Sequence, residues 1–381
     1  MPSLLRVDPI IMIALAALAL PAAYSPTPSE FVKSMGMGIN LGNTLDAPHE
    51  GAWAAPAQES YFDGYKAAGF KSVRVPCQYS QHISDTKPYF TEDNPFLKRV
   101  FEVASWSIQR NLTTVVNTHH DDWLDGSTSE AAFAHNLERL VAIWEAIGEK
   151  FAAVPDALLA FEVYNEPHLK MTTDWLNRMN AAVLPAIRAT NPTRTVFLGG
   201  LKFMNPNWIV KNPNAITMLP PGGPTDPHLA LEVHSYDPYN FCGGSKTGPT
   251  THTYAPGEVR TWADPLRSWA TARNVAILLG EFGCTKQQTN QTGRLAWYRE
   301  VGDVVRSHGF AATAWDDSGH FELYHRAQGT WDEDVLHALG VKPMATTTVE
   351  EMEAATEEND KGTADGDEVG HVPDPSWRPM E

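Results

Sequence analysis

Short apolar runs rich in β-branched residues recur along the chain. They are GMGINL (36–41), KSVRVP (71–76), LTTVVNTH (112–119), LLAFEVYN (158–165), RTVFLGG (194–200), HLALEVHS (228–235), VAILLGEF (275–282) and FAATAWD (310–316). Most are nearly continuously apolar, the pattern of strands covered on both faces. Between them the period becomes helical. Phe133, Leu137, Leu140, Trp144, Ile147 and Phe151 follow one another at spacings of three and four. So do Leu176, Met179, Val183, Ala186 and Ile187, and later Leu295, Tyr298, Val301 and Val305. Strand and helix alternating eight times, with no second composition between them, predict an α/β fold, a single (β/α)8 TIM barrel. A doubly wound open sheet would carry a Gly-rich turn after its first strand, and GINLGNT is not that pattern. The stretch 201–227 is rich in Pro, Asn and Gly and predicts loop with a poorly defined helix.

Both ends depart from the alternation. Residues 10–20 read IIMIALAALAL, behind Arg6 and ahead of small residues at Ala23 and Ser25. This run is too short to span a bilayer comfortably and has the flanks of a secretory signal peptide, so 1–25 is expected to be removed on export. From 346 to 381 the chain has eleven acidic and two basic residues and almost no large apolar ones before Trp377. Such a segment cannot bury enough surface to offset its ordering entropy, and we expect an acidic, disordered tail. The barrel, the catalytic domain, then occupies 26–345.

Composition narrows the function. Apolar residues make up 43% and charged residues 20%, enough to bury a core. A net charge of −17 argues against a nucleic-acid partner. With one apolar run, no integral membrane role is expected. Three cysteines exclude a disulfide scaffold. Cys242 and Cys284 follow adjacent strands, so a bridge between them is geometrically possible, leaving Cys77 unpaired. A monomer is the default expectation.

Chemistry in such barrels sits at the C-terminal ends of the strands. Here those ends carry Asn40 and Asn43; Arg74; His119 and His120; Asn165 and Glu166; His234 and Tyr236; Glu281; and Trp315 and Asp316. Polar or aromatic side chains at so many strand ends form the strongest physical signal in the sequence, because each costs burial to place there. Two carboxyls across a barrel mouth are what glycoside hydrolysis needs: one to protonate the leaving oxygen, one to attack the anomeric carbon or activate water. Arg74 and Tyr236 are expected to keep Glu281 ionised, and Glu166, beside Tyr164 and Pro167, to stay protonated in a drier setting. The run His119-His120-Asp121-Asp122 offers metal-ligand chemistry, but four consecutive side chains point in different directions, and neither a metal nor a cofactor is expected. Trp53, Trp123 and Trp208 fall in top-face loops; Trp106, Trp144 and Trp297 fall on helical core faces.

The segments GINLGNTLDA, FKSVRVP, VVNTHHDDW, YNEP, HSYDPY, LLGEFG and AWDD, in this order over roughly residues 31–340, resemble glycoside hydrolase family 5, the cellulase family. The resemblance implies a (β/α)8 barrel and retention of anomeric configuration through a covalent glycosyl-enzyme. It implies that Glu166 is the acid/base and Glu281 the nucleophile, with carboxyls about 5–5.5 Å apart. It further implies that Asn165 bonds the sugar 2-hydroxyl and that Arg74 and Tyr236 orient Glu281. His234 would lie between the acid/base and the sugar, His119 would match the strand-3 histidine, and Trp315 would stack on the first glycone sugar. The strand-1 motif GMGIN and the strand-8 run AWDDSGHFELYHR depart from much of the family, in regions that set substrate preference. The expectation is a secreted, extracellular endo-β-1,4-glucanase acting on a β-glycan polysaccharide. The alternatives are another β-glycan (mannan, xyloglucan, mixed-linkage or β-1,3-glucan) or a catalytically silent glycan-binding barrel.

Overall fold

The computed structural model describes residues 24–220, 226–243, 252–287 and 290–344. The expected signal peptide and acidic tail lie outside these residues, apart from Tyr24 and Ser25. The fold below belongs to the unit that ends at Lys342; of the second unit, Pro343–Glu381, only the first two residues are described.

Eight parallel strands close into a barrel in sequence order. They are β1 (Met37–Asn40), β2 (Ser72–Val75), β3 (Thr113–Asn117), β4 (Leu159–Glu162), β5 (Val196–Gly199), β6 (Leu229–His234), β7 (Ile277–Phe282) and β8 (Ala311–Ala314). Every predicted run contains one of them. β1 closes the ring on β8, with Gly38 opposite Thr313. The helical runs are helices Glu130–Phe151, Thr173–Thr190 and Gln291–His308. Their starts are fixed by side-chain caps: Ser129 accepts from Ala132 N–H, Thr172 from Trp175 N–H and Asn290 from Gly293 N–H. The Asn290 cap is why the last of them begins before its first apolar position. The 201–227 region holds a short helix, Pro206–Lys211, behind a turn in which Lys202 and Phe203 have φ of 60°. No helix among the described residues is long and apolar enough to cross a membrane.

Strand residues divide by parity. Ile39, Val73, Val75, Val116, Leu159, Phe161, Leu198, Leu231, Val233 and Leu279 face outward and pack into the main core beneath the helices. The alternate residues Val115, Ala160, Phe197, Ala230, Leu278 and Ala311 face inward and form a separate apolar plug. Helix Pro28–Met35 closes the barrel bottom by adding Phe31, Val32 and Met35 to that plug. It starts at Thr27, which forms a reciprocal capping box with Glu30. Trp144 and Trp297 are fully buried, as their helical faces predict, while Trp106 is only partly buried.

Cys242 and Cys284 form a disulfide that joins the segments after β6 and β7, and Cys77 is free and buried. The bridge closes a loop of 42 residues. Replacing both cysteines by serine is expected to lower the unfolding free energy by about 2–4 kcal/mol, chiefly by freeing the unfolded chain. Urea unfolding of the oxidised protein and the double variant measures this.

Candidate active site

One residue pair above the apolar plug, the barrel interior turns polar. Asn40, Arg74, Asn117, Glu162, Glu232 and Thr313 form a buried layer. Two residues further on lie His119, just past β3, and His234, the last residue of β6, with Glu281 across from His234 in register. The β6–β7 and β7–β8 pairings slip at Val233/His234 and between Leu279 and Phe282, bulges of the kind that re-aim side chains at a barrel rim.

Arg74 is the hub of this layer. Its guanidinium donates bidentately to Glu162, at 2.7 and 2.9 Å, and to Asn40 Oδ1 at 2.9 Å. It also donates to Glu281 Oε1 at 2.8 Å and to Asn165 Oδ1 at 2.7 Å. Its Nε lies 3.2 Å from Glu232 Oε1. Burial works against its charge, but Glu162, Glu232 and Glu281 more than restore it. Asn40 is held in turn by donating to the carbonyls of Gly280 and Thr313.

Glu281 receives Arg74 on one oxygen and the Tyr236 hydroxyl, at 2.9 Å, on the other. Burial alone would raise its carboxyl. The His234 ring, Arg74 and Tyr236 together outweigh that and hold it below the ordinary glutamate value. Arg74 and Tyr236 thus both reach the Glu281 carboxylate, with His234 as an additional cation.

His234 is buried with both ring nitrogens against carboxylates. Nδ1 lies 2.9 Å from Glu166 Oε1 and 3.7 Å from Glu281 Oε2, and Nε2 lies 3.3 Å from Glu232 Oε1. Burial opposes its charge, yet Glu281, Glu166 and Glu232 push the ring up to about 10. Glu166 follows β4 in a left-handed backbone conformation, φ 48°, of the strained kind that clusters at functional sites. Its side chain is 24% exposed, not dry as the sequence suggested, because the mouth of the barrel opens over it. One carboxylate oxygen of Glu166, one of Glu281 and a His234 nitrogen lie within 4.8 Å of one another.

The remaining predicted residues line the same mouth. Arg74 holds Asn165 by its oxygen, so the amide NH2 is turned away from the cation. His119 is buried, and burial, His120 and Arg74 keep it neutral. Asn117 accepts from Cys77 N–H, so its amide nitrogen faces His119 Nδ1, at 3.3 Å; this tautomer leaves the His119 proton on Nε2. The His119 ring stacks parallel to Trp315 at 6.0 Å. Trp53 is half exposed and meets His120 edge-on. Trp123 is held by Asp121 and lies under Arg139, and Trp208 is partly buried on its short helix.

The His-His-Asp-Asp run does not converge. Asp121 turns away to accept from Tyr79 N–H and Ser80. Asp46, from the segment after β1, lies within 4.8 Å of His119 and His120. Asp46 is also engaged by the backbone of Asn43 and Thr44, and the His119 lone pair is directed at Asn117. Asp316 is a structural anchor: it accepts from the backbone of Ser318, Leu323 and Tyr324 and pairs with Arg326.

Sequence reasoning missed Glu162, Glu232, Asn117 and Asp46. A signal existed for the first two. Both are single charged residues inside apolar strand runs, AFEVYN and ALEVHS, at even offsets from Glu166 and His234 and therefore on the inner face.

Burial pushes Asp121 up to about 7 and Asp46 up to about 6. The folded chain therefore holds protons on these groups that the unfolded chain releases near pH ~4, and their contribution to stability is lost as pH rises through that window. His234 acts in the same sense: its contribution is complete below about pH 6.5 and is lost as pH rises towards 10. Glu281, with its carboxyl lowered, contributes the opposite way, and only in acid. Differential scanning calorimetry is expected to give a higher transition temperature at about pH 5–6 than at about pH 9.

The fold and this constellation together define a (β/α)8 barrel with a cation-braced carboxylate pair at its C-terminal mouth. The chain belongs to the cellulase family, glycosyl hydrolase family 5, whose profile matches residues 32–320. It is 38% identical over 328 residues to endoglucanase H of Acetivibrio thermocellus and 29% identical to the cellulase/esterase CelE of the same organism. These alignments take in 84% of this chain but only 34% and 41% of the relatives' lengths. A hyperthermophilic endo-β-1,4-glucanase solved in complex with substrate superimposes with a TM-score of 0.74 at 31% identity, covering 82% of this chain and 99% of the other. Thermotoga maritima Cel5A, solved with mannotriose, gives 0.73 at 27% identity, covering 82% and 99%.

Proposed function

We propose that this chain is a secreted, retaining endo-β-1,4-glucanase with Glu281 as nucleophile and Glu166 as acid and base. The observation that carries the reading is that one oxygen of Glu166, one of Glu281 and a His234 nitrogen lie within 4.8 Å of one another, which brings the two carboxyls together at one point of the mouth. Retaining sites need about 5–5.5 Å, whereas inverting sites need about 6.5–9.5 Å to admit a water. In the first step Glu281 attacks the anomeric carbon as the bond to the leaving oxygen breaks, and Glu166 gives that oxygen its proton. In the second, Glu166 takes a proton from water, whose oxygen attacks the same carbon and releases Glu281. The Asn165 amide is oriented to donate to the sugar 2-hydroxyl, and Trp315 and His119 offer flat faces to the glycone sugar. Family membership and the endoglucanase relatives support the β-1,4-glucan assignment. The apolar N-terminal run supports export, and the barrel is taken to act as a monomer.

One observation keeps a second substrate in view: a relative of the same fold was solved with mannotriose. Reducing-sugar release from carboxymethyl cellulose, barley β-glucan, xyloglucan, glucomannan and laminarin separates the two, read together with solution viscosity. Rapid viscosity loss on the first two is expected. Preference for glucomannan would transfer the assignment to mannan, and silence of the folded protein on every polymer would defeat the hydrolase reading. Proton NMR of the earliest product should show the β-anomer; the α-anomer first would defeat retention.

A further inference from the structure

The mechanism above leaves one buried carboxylate of the site unused. Glu232 lies two residues before His234 on β6, fully buried. Its Oε1 faces His234 Nε2 at 3.3 Å and Arg74 Nε at 3.2 Å. Its Oε2 is buried with no hydrogen-bond partner among the described residues. The neighbouring strand makes room for it: a Cβ added to Gly280 would sit 1.6 Å from Glu232 Oε1. Glu232 pairs with Arg74 by charge but receives no hydrogen bond from it, because Glu162 takes the Nε and Nη2 donors bidentately. An acid in this place therefore calls for another role, and its other contact is the far nitrogen of His234.

We propose that Glu232 is a positioning residue of the reaction, acting through His234: it engages Nε2–H and so fixes the ring as a cation whose Nδ1–H is aimed at Glu166 Oε1. The inference rests on the assignment of Glu166 as acid and base. When Glu166 gives its proton to the leaving oxygen, a carboxylate is left at the mouth of a largely buried site. An Nδ1–H donor already 2.9 Å away stabilises that charge as it develops. A neutral ring could instead turn an unprotonated Nδ1 to Glu166 and capture the acid's proton. Charged groups face His234 from several elements: Glu232 from its own strand, Glu166 from the segment after β4, and Glu281 from β7, with Glu162 of β4 behind Glu232. His119, just past β3, and Tyr236, two residues after His234, complete the surroundings, while Arg74 from β2 reaches Glu232 and Glu281. Burial and the neighbouring Glu162 raise the Glu232 carboxyl above its ordinary range, while Arg74 and His234 act against that rise.

The test uses the full chain and two substrates. A cello-oligosaccharide needs its leaving oxygen protonated; 2,4-dinitrophenyl β-cellobioside does not. Glu232→Gln is expected to lower kcat/KM on the oligosaccharide by about tenfold and on the dinitrophenyl substrate by about twofold at most. Equal losses on both would make Glu232 a structural partner of Arg74 and overturn the proposal. Glu166→Ala is the control for the underlying assignment: absence of the same split there would defeat that assignment instead. An independent readout does not require the variant to fold. In wild-type protein labelled with 15N-histidine, both His234 nitrogens should keep the shifts of a protonated ring past about pH 8. The signal is assigned by its loss in His234→Gln. A ring that titrates near its ordinary value of about 6.5 would overturn the proposal.

Discussion

Replacing Glu281 by glycine is expected to lower kcat on cello-oligosaccharides by on the order of 10⁵-fold, since removal of a covalent nucleophile leaves only binding and the other catalytic groups. Two hydrogen bonds hold this carboxylate, from Arg74, a cation with no lone pair to give, and from Tyr236, whose phenol burial keeps protonated and a poor nucleophile. The glycine variant leaves a space beside Arg74 and His234 that suits a small anion. With 2,4-dinitrophenyl β-cellobioside and sodium azide, activity should return and the product should be the α-cellobiosyl azide. There azide forms the bond to the anomeric carbon directly, as the aryl oxide departs. Glu166→Ala with the same reagents should yield the β-azide, because Glu281 still attacks first and azide displaces it. The same anomer from both variants would reverse or void the two assignments. The contrast isolates which glutamate touches carbon, which a loss of activity alone does not.

Arg74→Met is expected to cost about 3–5 kcal/mol of unfolding free energy, the largest stability effect of any single polar substitution in the chain. The reason is the asymmetry of buried charge. Arg74 is fully buried and compensates Glu162, Glu232 and Glu281 at once, so its removal leaves Glu162 with neither water nor a cation and Glu232 and Glu281 with His234 alone. Lysine is not expected to rescue it, because an ammonium cannot grip Glu162 bidentately while reaching Asn40, Asn165 and Glu281. Urea unfolding followed by tryptophan fluorescence measures the loss. Lys98→Met, which breaks an exposed pair with Asp93, is the matched control and should leave the midpoint unchanged. A midpoint for Arg74→Met as high as the wild type's would mean that protonation of the glutamates fully absorbs the loss.

These two expectations draw on different parts of what was legible in the sequence. Glu281 stood out because it ends an apolar run and pairs with YNEP. Arg74 stood out as a strand-end cation. That Arg74 also binds Asn165 and two glutamates from inside strands was not written in any local pattern. Asp316 shows the reverse error. As a polar residue at a strand end it looked like part of the mouth, yet it folds back to gather the backbone of 318–324 and Arg326. The expected dryness of Glu166 failed for a similar reason. Exposure at a barrel rim depends on loops from several strands, and its immediate neighbours Tyr164 and Pro167 say nothing of them.

The sequence by itself determined the eight strands and three of the helices between them, because periodicity is local and acts within a few residues. It also determined which strand ends carry chemistry, since polarity at the end of an apolar run needs no knowledge of the partner strand. Only the tertiary structure decided the inward layer of Glu162, Glu232 and Asn117, the bridging of two carboxylates by His234, and the union of Cys242 with Cys284. Those depend on closure of β8 onto β1 and on the register slips at β6–β7 and β7–β8; the assembled barrel joins Arg74 to Glu281 across 207 residues of sequence. Charge in that layer is decided last. Burial and neighbouring carboxylates act through space, so the ionisation of Glu281 and His234 follows from the assembled barrel and not from either residue's neighbours in the chain.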